Sequence, residues 1–167
     1  MLVILALLQA FLAAALDVPF VQQTAAACGP ASAAMVMQYW ARELPARVDL
    51  PAAADRVARA PVSRKGIGGN DLRRLIEAEG FTVFVLNAEP RDLQAHLGKG
   101  RPLIVCFAPR GKSALMHFAV VAGLEEDAIL LNDPTRGKLF REPLSRFLPQ
   151  WREAGNWALL AVPRDAR

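Results

Sequence analysis

The spacing of hydrophobic and polar positions changes about halfway along the chain. In the first half, small and apolar residues either follow one another closely or recur at helical spacing. Asn70 is a favoured N-cap residue and Gly80 a favoured stop signal around one of these segments. This half therefore predicts three helices, over residues 31–40, 49–60 and 71–79.

The second half consists mostly of short runs of apolar and β-branched residues, separated by turn-forming residues. These runs predict strands over residues 81–86, 102–107, 117–123, 128–134, 138–141 and 156–162. Two amphipathic segments, 90–97 and 143–151, predict further helices. Helices that come first and strands that cluster later are typical of an α+β domain, here with N-terminal helices packed on a mostly antiparallel sheet.

The first sixteen residues form a segment of a different kind. Met1 to Leu16 is almost entirely apolar, carries no charged side chain and is too short to cross a bilayer comfortably. Ala13 to Ala15 supplies the small residues that precede a signal-peptide cleavage site. We therefore expect 1–16 to be a signal peptide or a short membrane anchor, and 17–167 to be one domain. That organisation predicts an exported protein, periplasmic or extracellular, or a protein anchored to the membrane and facing outward.

Composition narrows the classes of function. The chain has 167 residues, a formal net charge of +4 and 22% charged residues, which is ordinary for one compact domain. Its basic residues are scattered and its aromatic content is only 7%, which argues against a nucleic-acid platform. Two cysteines do not make a disulfide scaffold, and a metal site with two histidine ligands would use both histidines of the chain. We therefore expect no cofactor, no metal ion and no nucleic acid, and nothing indicates an oligomeric state.

One cysteine lies where a loop turns into the first helix. Pro30 is tolerated only in a first helical turn, so Cys28 is predicted at the helix N-terminus or within a residue of it. Free backbone N–H groups and the helix dipole lower the pKa of a thiol there and favour a nucleophilic thiolate. Gln22 or Gln23, just upstream, is placed to donate a hydrogen bond to an oxyanion formed on an attacked carbonyl. A buried structural cysteine is the alternative interpretation.

A histidine and an aspartate lie at matching ends of two consecutive predicted strands. His117 begins one strand and Asp133 ends the next, so an antiparallel hairpin brings them to the same edge of the sheet. A carboxylate or an amide beside an imidazole orients the ring, a part that Asn132 is also able to play. Placed against the Cys28 helix, these residues form a nucleophile, a base and an orienting group. The alternatives are a histidine without chemistry and an aspartate that forms a turn with Pro134.

The motifs around these residues resemble those of a known family. In chain order they are Val-Pro-Phe-Val (18–21) followed by Gln23, Cys-Gly-Pro-Ala-Ser (28–32), His-Phe-Ala-Val-Val (117–121) and Asn-Asp-Pro (132–134). As a set they resemble the bacteriocin-processing cysteine peptidases of the papain-like superfamily, which cut after double-glycine leaders. The resemblance covers nearly all of the chain after its first sixteen residues and implies a papain-like fold.

The resemblance also implies a role for each residue. Cys28 is implied as the nucleophile, His117 as general base and acid, and Asp133 as the group that orients His117. Gln23 is implied as an oxyanion donor together with the Cys28 backbone N–H, with Gln22 as the alternative because the usual offset in papain-like enzymes matches it. Attack of the thiolate on a peptide or protein substrate would release the amine, leave a thioester and end with hydrolysis by water.

The leading hypothesis is therefore a cysteine peptidase. Bacteriocin processors are usually fused to a membrane transporter, whereas we expect no transporter domain in this chain. Two alternatives stay open: an acyltransferase or transpeptidase that resolves the same thioester with an amine, and a non-catalytic peptide-binding module on the same fold. Association with a membrane through the N-terminal apolar segment is expected if that segment is retained.

Overall fold

The computed structural model describes residues 15–109 and 115–164. The described helices are α1 (Cys28–Glu43), α2 (Leu50–Ala58), α3 (Gly69–Ala78), α4 (Pro90–Leu97) and α5 (Leu144–Glu153). The described strands are β1 (Phe81–Asn87), β2 (Leu103–Phe107), β3 (His117–Leu124), β4 (Ala128–Asp133), β5 (Gly137–Pro143) and β6 (Trp157–Pro163). Every predicted element is present, and the predicted ends differ from the observed ones by at most three residues.

The strands form a single sheet in the order β1-β6-β2-β3-β4-β5. Each neighbouring pair is antiparallel, so the predicted α+β class with an antiparallel sheet is confirmed. β3 and β4 are joined by the predicted hairpin, in which Val120 lies opposite Asn132. The last strand, β6, lies between β1 and β2 in the interior of the sheet.

Helices cover both faces of the sheet and bury two apolar cores. The core beneath α1, α2 and α3 includes Ile104 and Cys106 of β2, whereas the core beneath α4 and α5 includes Leu103 and Val105 of the same strand. Successive side chains of β2 therefore enter opposite cores, as the pleat of a strand dictates. This explains why the strand is a continuous apolar run in the sequence.

One predicted helix cap is wrong. Helix α3 begins at Gly69, and its N-cap residue is Gly68 in an extended conformation, so Asn70 lies inside the first turn. A Cβ at Gly69 would lie 3.1 Å from the indole ring of Trp157. Glycine at this position allows α3 to approach the tryptophan closely, so a contact with a distant strand sets the start of this helix rather than the local cap signal.

The segment before α1 is held against the sheet. The Leu16 backbone N–H donates to the Ala122 carbonyl of β3 at 2.8 Å, and Val18 is fully buried. The Asn132 side chain is also fully buried. It donates to the Val18 carbonyl at 2.9 Å and accepts from the Leu139 N–H at 2.9 Å. Asn132 thus joins the N-terminal segment, β4 and β5.

The predicted signal peptide falls almost entirely on residues 1–14, which lie outside the described residues, and it stays a prediction. Within residues 15–109 and 115–164, no helix has both the length and the apolarity needed to cross a membrane.

Replacing Asn132 by alanine is expected to destabilise the fold by about 2–4 kcal/mol, because it leaves buried backbone groups of two segments without their partner. Urea unfolding followed by circular dichroism measures this loss. Asn70→Ala is the matched control: Asn70 is exposed and caps no helix, so its replacement should change stability by no more than about 0.5 kcal/mol. Equal losses in the two variants would contradict the structural role of Asn132.

Candidate active site

Cys28 is the first residue of α1, as predicted, and its N-cap residue is Ala27. Its backbone N–H therefore has no partner inside the helix and points toward the region in front of it. The thiol is largely buried, at 8% exposure, and is not part of a disulfide. Burial alone would make this thiol inert, so its chemistry depends on the polar groups around it.

The β3–β4 hairpin brings His117 and Asp133 together, as the strand ends predicted. His117 Nε2 lies 2.8 Å from Asp133 Oδ1, and the carboxylate is almost completely buried, at 1% exposure. The Cys28 thiol is a hydrogen-bond partner of the same imidazole, and the two groups shift each other's pKa. The ring of Phe107 packs edge-on against the imidazole, with centroids 5.4 Å apart, and restricts its rotation. Cysteine, histidine and aspartate thus form one hydrogen-bonded chain.

The charges in this chain stabilise one another. Burial opposes the charge of His117, but hydrogen bonds to Asp133 and Cys28 outweigh it and raise the pKa of His117 to about 9. Burial likewise opposes ionisation of Asp133, yet His117 and Thr135 lower the pKa of Asp133 to about 2. Burial raises the pKa of Cys28, but His117 and the N–H groups of Phe118 and Gly29 bring it below the ordinary thiol value. The arrangement therefore favours a thiolate beside an imidazolium more strongly than an isolated thiol and an isolated imidazole would.

Asp133 has partners that the sequence analysis missed. The backbone N–H of Thr135 donates to Asp133 Oδ1 at 2.9 Å, and the Thr135 hydroxyl donates to the same oxygen at 2.7 Å. An aspartate side chain often accepts a hydrogen bond from the backbone N–H two residues further on, so the contact with the Thr135 N–H was detectable in the sequence. Asn132, the alternative orienting group, does not contact His117, since its side chain is bonded to Val18 and Leu139.

The two glutamines of the upstream loop lie in different places. Gln23 lines a cleft of ≈ 290 Å³ together with Cys28 and His117, whereas Gln22 is exposed and lines a separate pocket beside Pro134. Gln23 Nε2 donates to the Ala25 carbonyl, and its Oε1 is buried without a described partner. The structure therefore places Gln23, rather than Gln22, in the space in front of the thiol.

The wall of the cleft opposite His117 comes from the loop that precedes α3. Ile67 of that loop packs so closely on the start of α1 that a Cβ at Gly29 would collide with it. Gly66 has a φ of +81°, and a Cβ there would lie 3.2 Å from the Ala26 carbonyl. The loop therefore requires glycine where it passes the residues before Cys28. The sequence analysis assigned no role to this loop.

The cleft is lined mostly by apolar residues, and its lining includes one lysine, Lys65. The complete set of its described lining residues is Gln23, Ala25, Ala26, Cys28, Lys65, Gly66, Ile67, Pro109, Leu115, Met116, His117 and Phe118. Leu115 and Met116 are large apolar side chains that are about half exposed. Lys65 and His117 supply positive charge, and no described lining residue is acidic. Such a cleft suits an extended chain with apolar and acidic side chains better than a basic one.

The second cysteine and the second histidine lie away from this arrangement. Cys106 is buried in β2, where burial, followed by the nearby Cys28, raises the pKa of its thiol to about 12. His96 is on α4 and is partly buried, and burial together with Arg101 and Lys99 lowers its pKa. Within the described part of the chain, no group of histidine, cysteine and acidic residues is arranged to hold a metal ion.

A family description matches most of the chain. The description is that of the papain-like cysteine protease AvrRpt2, and it matches residues 12–152. The matched range contains Cys28, His117 and Asp133. No curated protein matches the sequence.

Three solved structures have similar folds. A protein of Bacillus anthracis described as a C39-like peptidase has a TM-score of 0.67 and 19% identity, with 89% of this chain and 96% of that one covered. The double-glycine-motif protease of an AMS/PCAT transporter, in complex with a leader peptide, has a TM-score of 0.66 and 23% identity over 89% and 94%. The peptidase domain of Streptococcus ComA, an ABC transporter, has a TM-score of 0.61 and 21% identity over 87% and 97%. The expected likeness to bacteriocin-processing peptidases is thus confirmed in the fold.

Proposed function

Because the chain belongs to the AvrRpt2 family of papain-like cysteine proteases and is therefore a cysteine peptidase, we propose that it cleaves peptide bonds through Cys28, His117 and Asp133. The observation that carries this proposal is the hydrogen-bonded chain from the Cys28 thiol through His117 to Asp133, at the start of a helix and on the floor of a cleft. Those are the relations that a nucleophile, a general base and an orienting group require.

Each proposed step uses a group that is already in place. The Cys28 thiolate attacks the substrate carbonyl, and the oxyanion accepts hydrogen bonds from the Cys28 backbone N–H and Gln23 Nε2. Nε2 donates one of its two hydrogens to Ala25 and keeps the other for the oxyanion. The imidazolium of His117 then protonates the leaving amine, which leaves a thioester on Cys28. Neutral His117 next deprotonates a water molecule, which attacks the thioester. The carboxylic acid product then leaves, and Cys28 and His117 return to the thiolate–imidazolium pair.

Asp133 keeps the imidazole in the orientation that this sequence of steps needs. Its Oδ1 accepts from Nε2, so Nδ1 is the ring nitrogen left for the thiol. The negative charge also stabilises the imidazolium that waits for the leaving amine. Asp133 is therefore proposed to act through His117 and not on the substrate itself.

The proposed substrate is a peptide bound in extended form along the cleft. One structural neighbour was solved in complex with a leader peptide, which supports a peptide as the ligand here. In this chain Leu115 and Met116 offer apolar contacts, and Lys65 offers a positive charge in the same cleft as the thiol. We therefore expect peptides with an apolar residue and an acidic residue near the scissile bond to be cleaved best, and Lys65→Glu to reverse the preference for acid. Mass spectrometry of digested peptide libraries measures both preferences and separates hydrolysis from transfer to an added amine.

The activity is expected to follow a bell-shaped pH profile. kcat/KM should rise as the Cys28 thiol ionises, with a midpoint below the free-thiol pKa of about 8.5. It should fall again near pH 9, because the pKa of His117 is raised to about 9 and deprotonation removes the proton meant for the leaving amine. Initial rates with a fluorogenic peptide between pH 4 and 10 test this.

Asp133→Asn is the matched variant for the basic limb of that profile. It keeps the size of the side chain and removes the charge that raises the pKa of His117, so the basic limb should move to lower pH. A wild-type basic limb near 6.5, the ordinary histidine value, would contradict the proposed coupling of His117 to Asp133.

Export is proposed on the apolar segment alone. Met1 to Leu16 has the length and small-residue ending of a signal peptide. N-terminal sequencing of the mature protein recovered from cell fractions tests whether the segment is removed and where the protein resides.

A further inference from the structure

Arg136 lies between two buried carboxylates, one of which belongs to the proposed catalytic chain. Its Nε is 3.6 Å from Asp133 Oδ2, and one of its terminal nitrogens is 2.7 Å from Glu142 Oε2. The guanidinium also packs over the ring of Phe140, 4.7 Å from its centroid. A planar, permanently charged group with contacts on three sides has little freedom to move.

The two oxygens of Asp133 are used differently. Oδ1 accepts hydrogen bonds from His117, from the Thr135 N–H and from the Thr135 hydroxyl. The contact described for Oδ2 is the one with Arg136. Because a carboxylate rotates about its terminal bond, a fixed partner for Oδ2 determines whether Oδ1 faces the imidazole squarely.

Glu142 is a buried charge that the proposed mechanism does not use. Its side chain is 5% exposed, and its other ion pair is with Arg146 of α5 at 3.4 Å. Burial of a carboxylate is costly unless it is paired. The buried Glu142 carboxylate holds the guanidinium of Arg136, whose side chain is 37% exposed, from the side of the protein interior.

We propose that Arg136, held by Glu142, is a positioning residue that fixes the Asp133 carboxylate against His117. The inference rests on the proposed function, since it treats His117 and Asp133 as the catalytic pair. Arg136 acts through Asp133 and has no contact with the cleft that contains Cys28. Its ion pair with Asp133 at 3.6 Å and its hydrogen bond to Glu142 link the proposed catalytic residues to a buried glutamate on β5.

If Arg136 is removed, a positioning role and a simple charge effect predict opposite changes in the pKa of His117. The charged groups that face the pair are Asp133 itself, Cys28 from α1, Arg136, and, one step further, Glu142 and Arg146. If Arg136 acted only as a positive charge, its removal would favour the imidazolium and raise the pKa of His117. If it positions Asp133, its removal weakens the hydrogen bond that raises the pKa of His117, and that pKa falls.

Titration of the histidine rings by NMR in the full-length protein distinguishes these cases. The chain has only two histidines, so His117 and His96 can be assigned and followed together. His96 lies on α4, away from the pair, and serves as an internal reference. In Arg136→Gln we expect the His117 midpoint to fall by about one pH unit or more, with Arg136→Lys recovering part of the shift.

The remaining variants complete the test. Glu142→Gln should lower the His117 midpoint in the same direction. Arg141→Gln is the matched control, because Arg141 is an arginine of β5 paired with Glu125 and Asp127 only at the surface, and it should leave both histidines unchanged. If Arg136→Gln does not fold, Arg136→Gln with Glu142→Gln removes both members of the ion pair. An unchanged or raised His117 midpoint in the folded variants would overturn the proposal.

Peptidase assays of Arg136→Gln provide a second measurement, independent of the NMR titration. A positioning defect should lower kcat of Arg136→Gln with KM nearly unchanged, because Arg136 does not line the cleft. The NMR titration needs no substrate. If the wild-type protein cleaves no peptide but the variants show the expected shifts of the His117 midpoint, the proposed function is refuted and the positioning role stands.

Discussion

Cys28→Ala protein is expected to cleave its peptide substrate at least about 10⁴-fold more slowly than wild type, because the thioester route is lost entirely. Cys28 lies at the start of α1, where its own N–H, the N–H groups of Gly29 and Phe118, and His117 all favour the thiolate. Serine at this position is expected to restore little, since a hydroxyl is not ionised in the same setting. Rates are compared as kcat/KM with a fluorogenic peptide, after circular dichroism shows that each variant is folded.

Cys106→Ala is the matched control for this prediction. Cys106 is the other cysteine of the chain, but it is buried in β2, and burial together with Cys28 raises the pKa of its thiol to about 12. Its replacement should preserve kcat/KM at a modest cost in stability. Equal activity in Cys28→Ala and wild type would refute the assignment of Cys28 as the nucleophile. Loss of activity in Cys106→Ala alone would show that Cys106 is the reacting thiol instead.

His117→Ala is expected to have two separate effects. kcat/KM should fall by about 10⁴-fold, because the general base and acid is removed. The reaction of Cys28 with iodoacetamide should also lose its low-pH limb, since the hydrogen bond and charge of His117 hold the pKa of the thiol down. We expect the midpoint of alkylation to move from well below the free-thiol value to about 8.5 or above.

His96→Ala controls for loss of an imidazole elsewhere. His96 is on α4 and outside the cleft, so both the activity and the alkylation midpoint should match wild type. Alkylation between pH 4 and 9 requires no substrate and tests the activated pair directly. An alkylation curve of the wild type centred near 8.5 and unchanged in His117→Ala would argue against a thiolate–imidazolium pair.

Much of the site was predictable because it depends on local signals and on one topological rule. Pro30 limits where α1 can begin, which places Cys28 at its start. His117 and Asp133 stand at matching ends of two strands that a three-residue turn joins, and antiparallel pairing then brings them together. Neither inference requires knowledge of any distant contact. The roles assigned to these residues are proposals that the experiments above test.

Contacts between distant segments were not predictable. Asn132 looked like a second candidate for orienting His117, and only the course of the N-terminal segment shows that it binds Val18 instead. Asn70 carried the better cap signal, but the packing of Gly69 on Trp157 starts α3 earlier. Glu142 falls between a predicted strand and a predicted helix, and its burial beside Arg136 depends on how α5 and β5 pack around it.

The place of β6 in the sheet bears on how the enzyme is made. β6 follows every other described strand in the sequence, yet it lies between β1 and β2 and contributes Leu159 and Ala161 to the core beneath α1. A nascent chain that lacks this strand has two unjoined pieces of sheet and an incomplete support for the cysteine helix. The complete catalytic arrangement is therefore expected only after β6 has been synthesised and has joined the sheet. Removal of β6 would split the sheet rather than trim its edge.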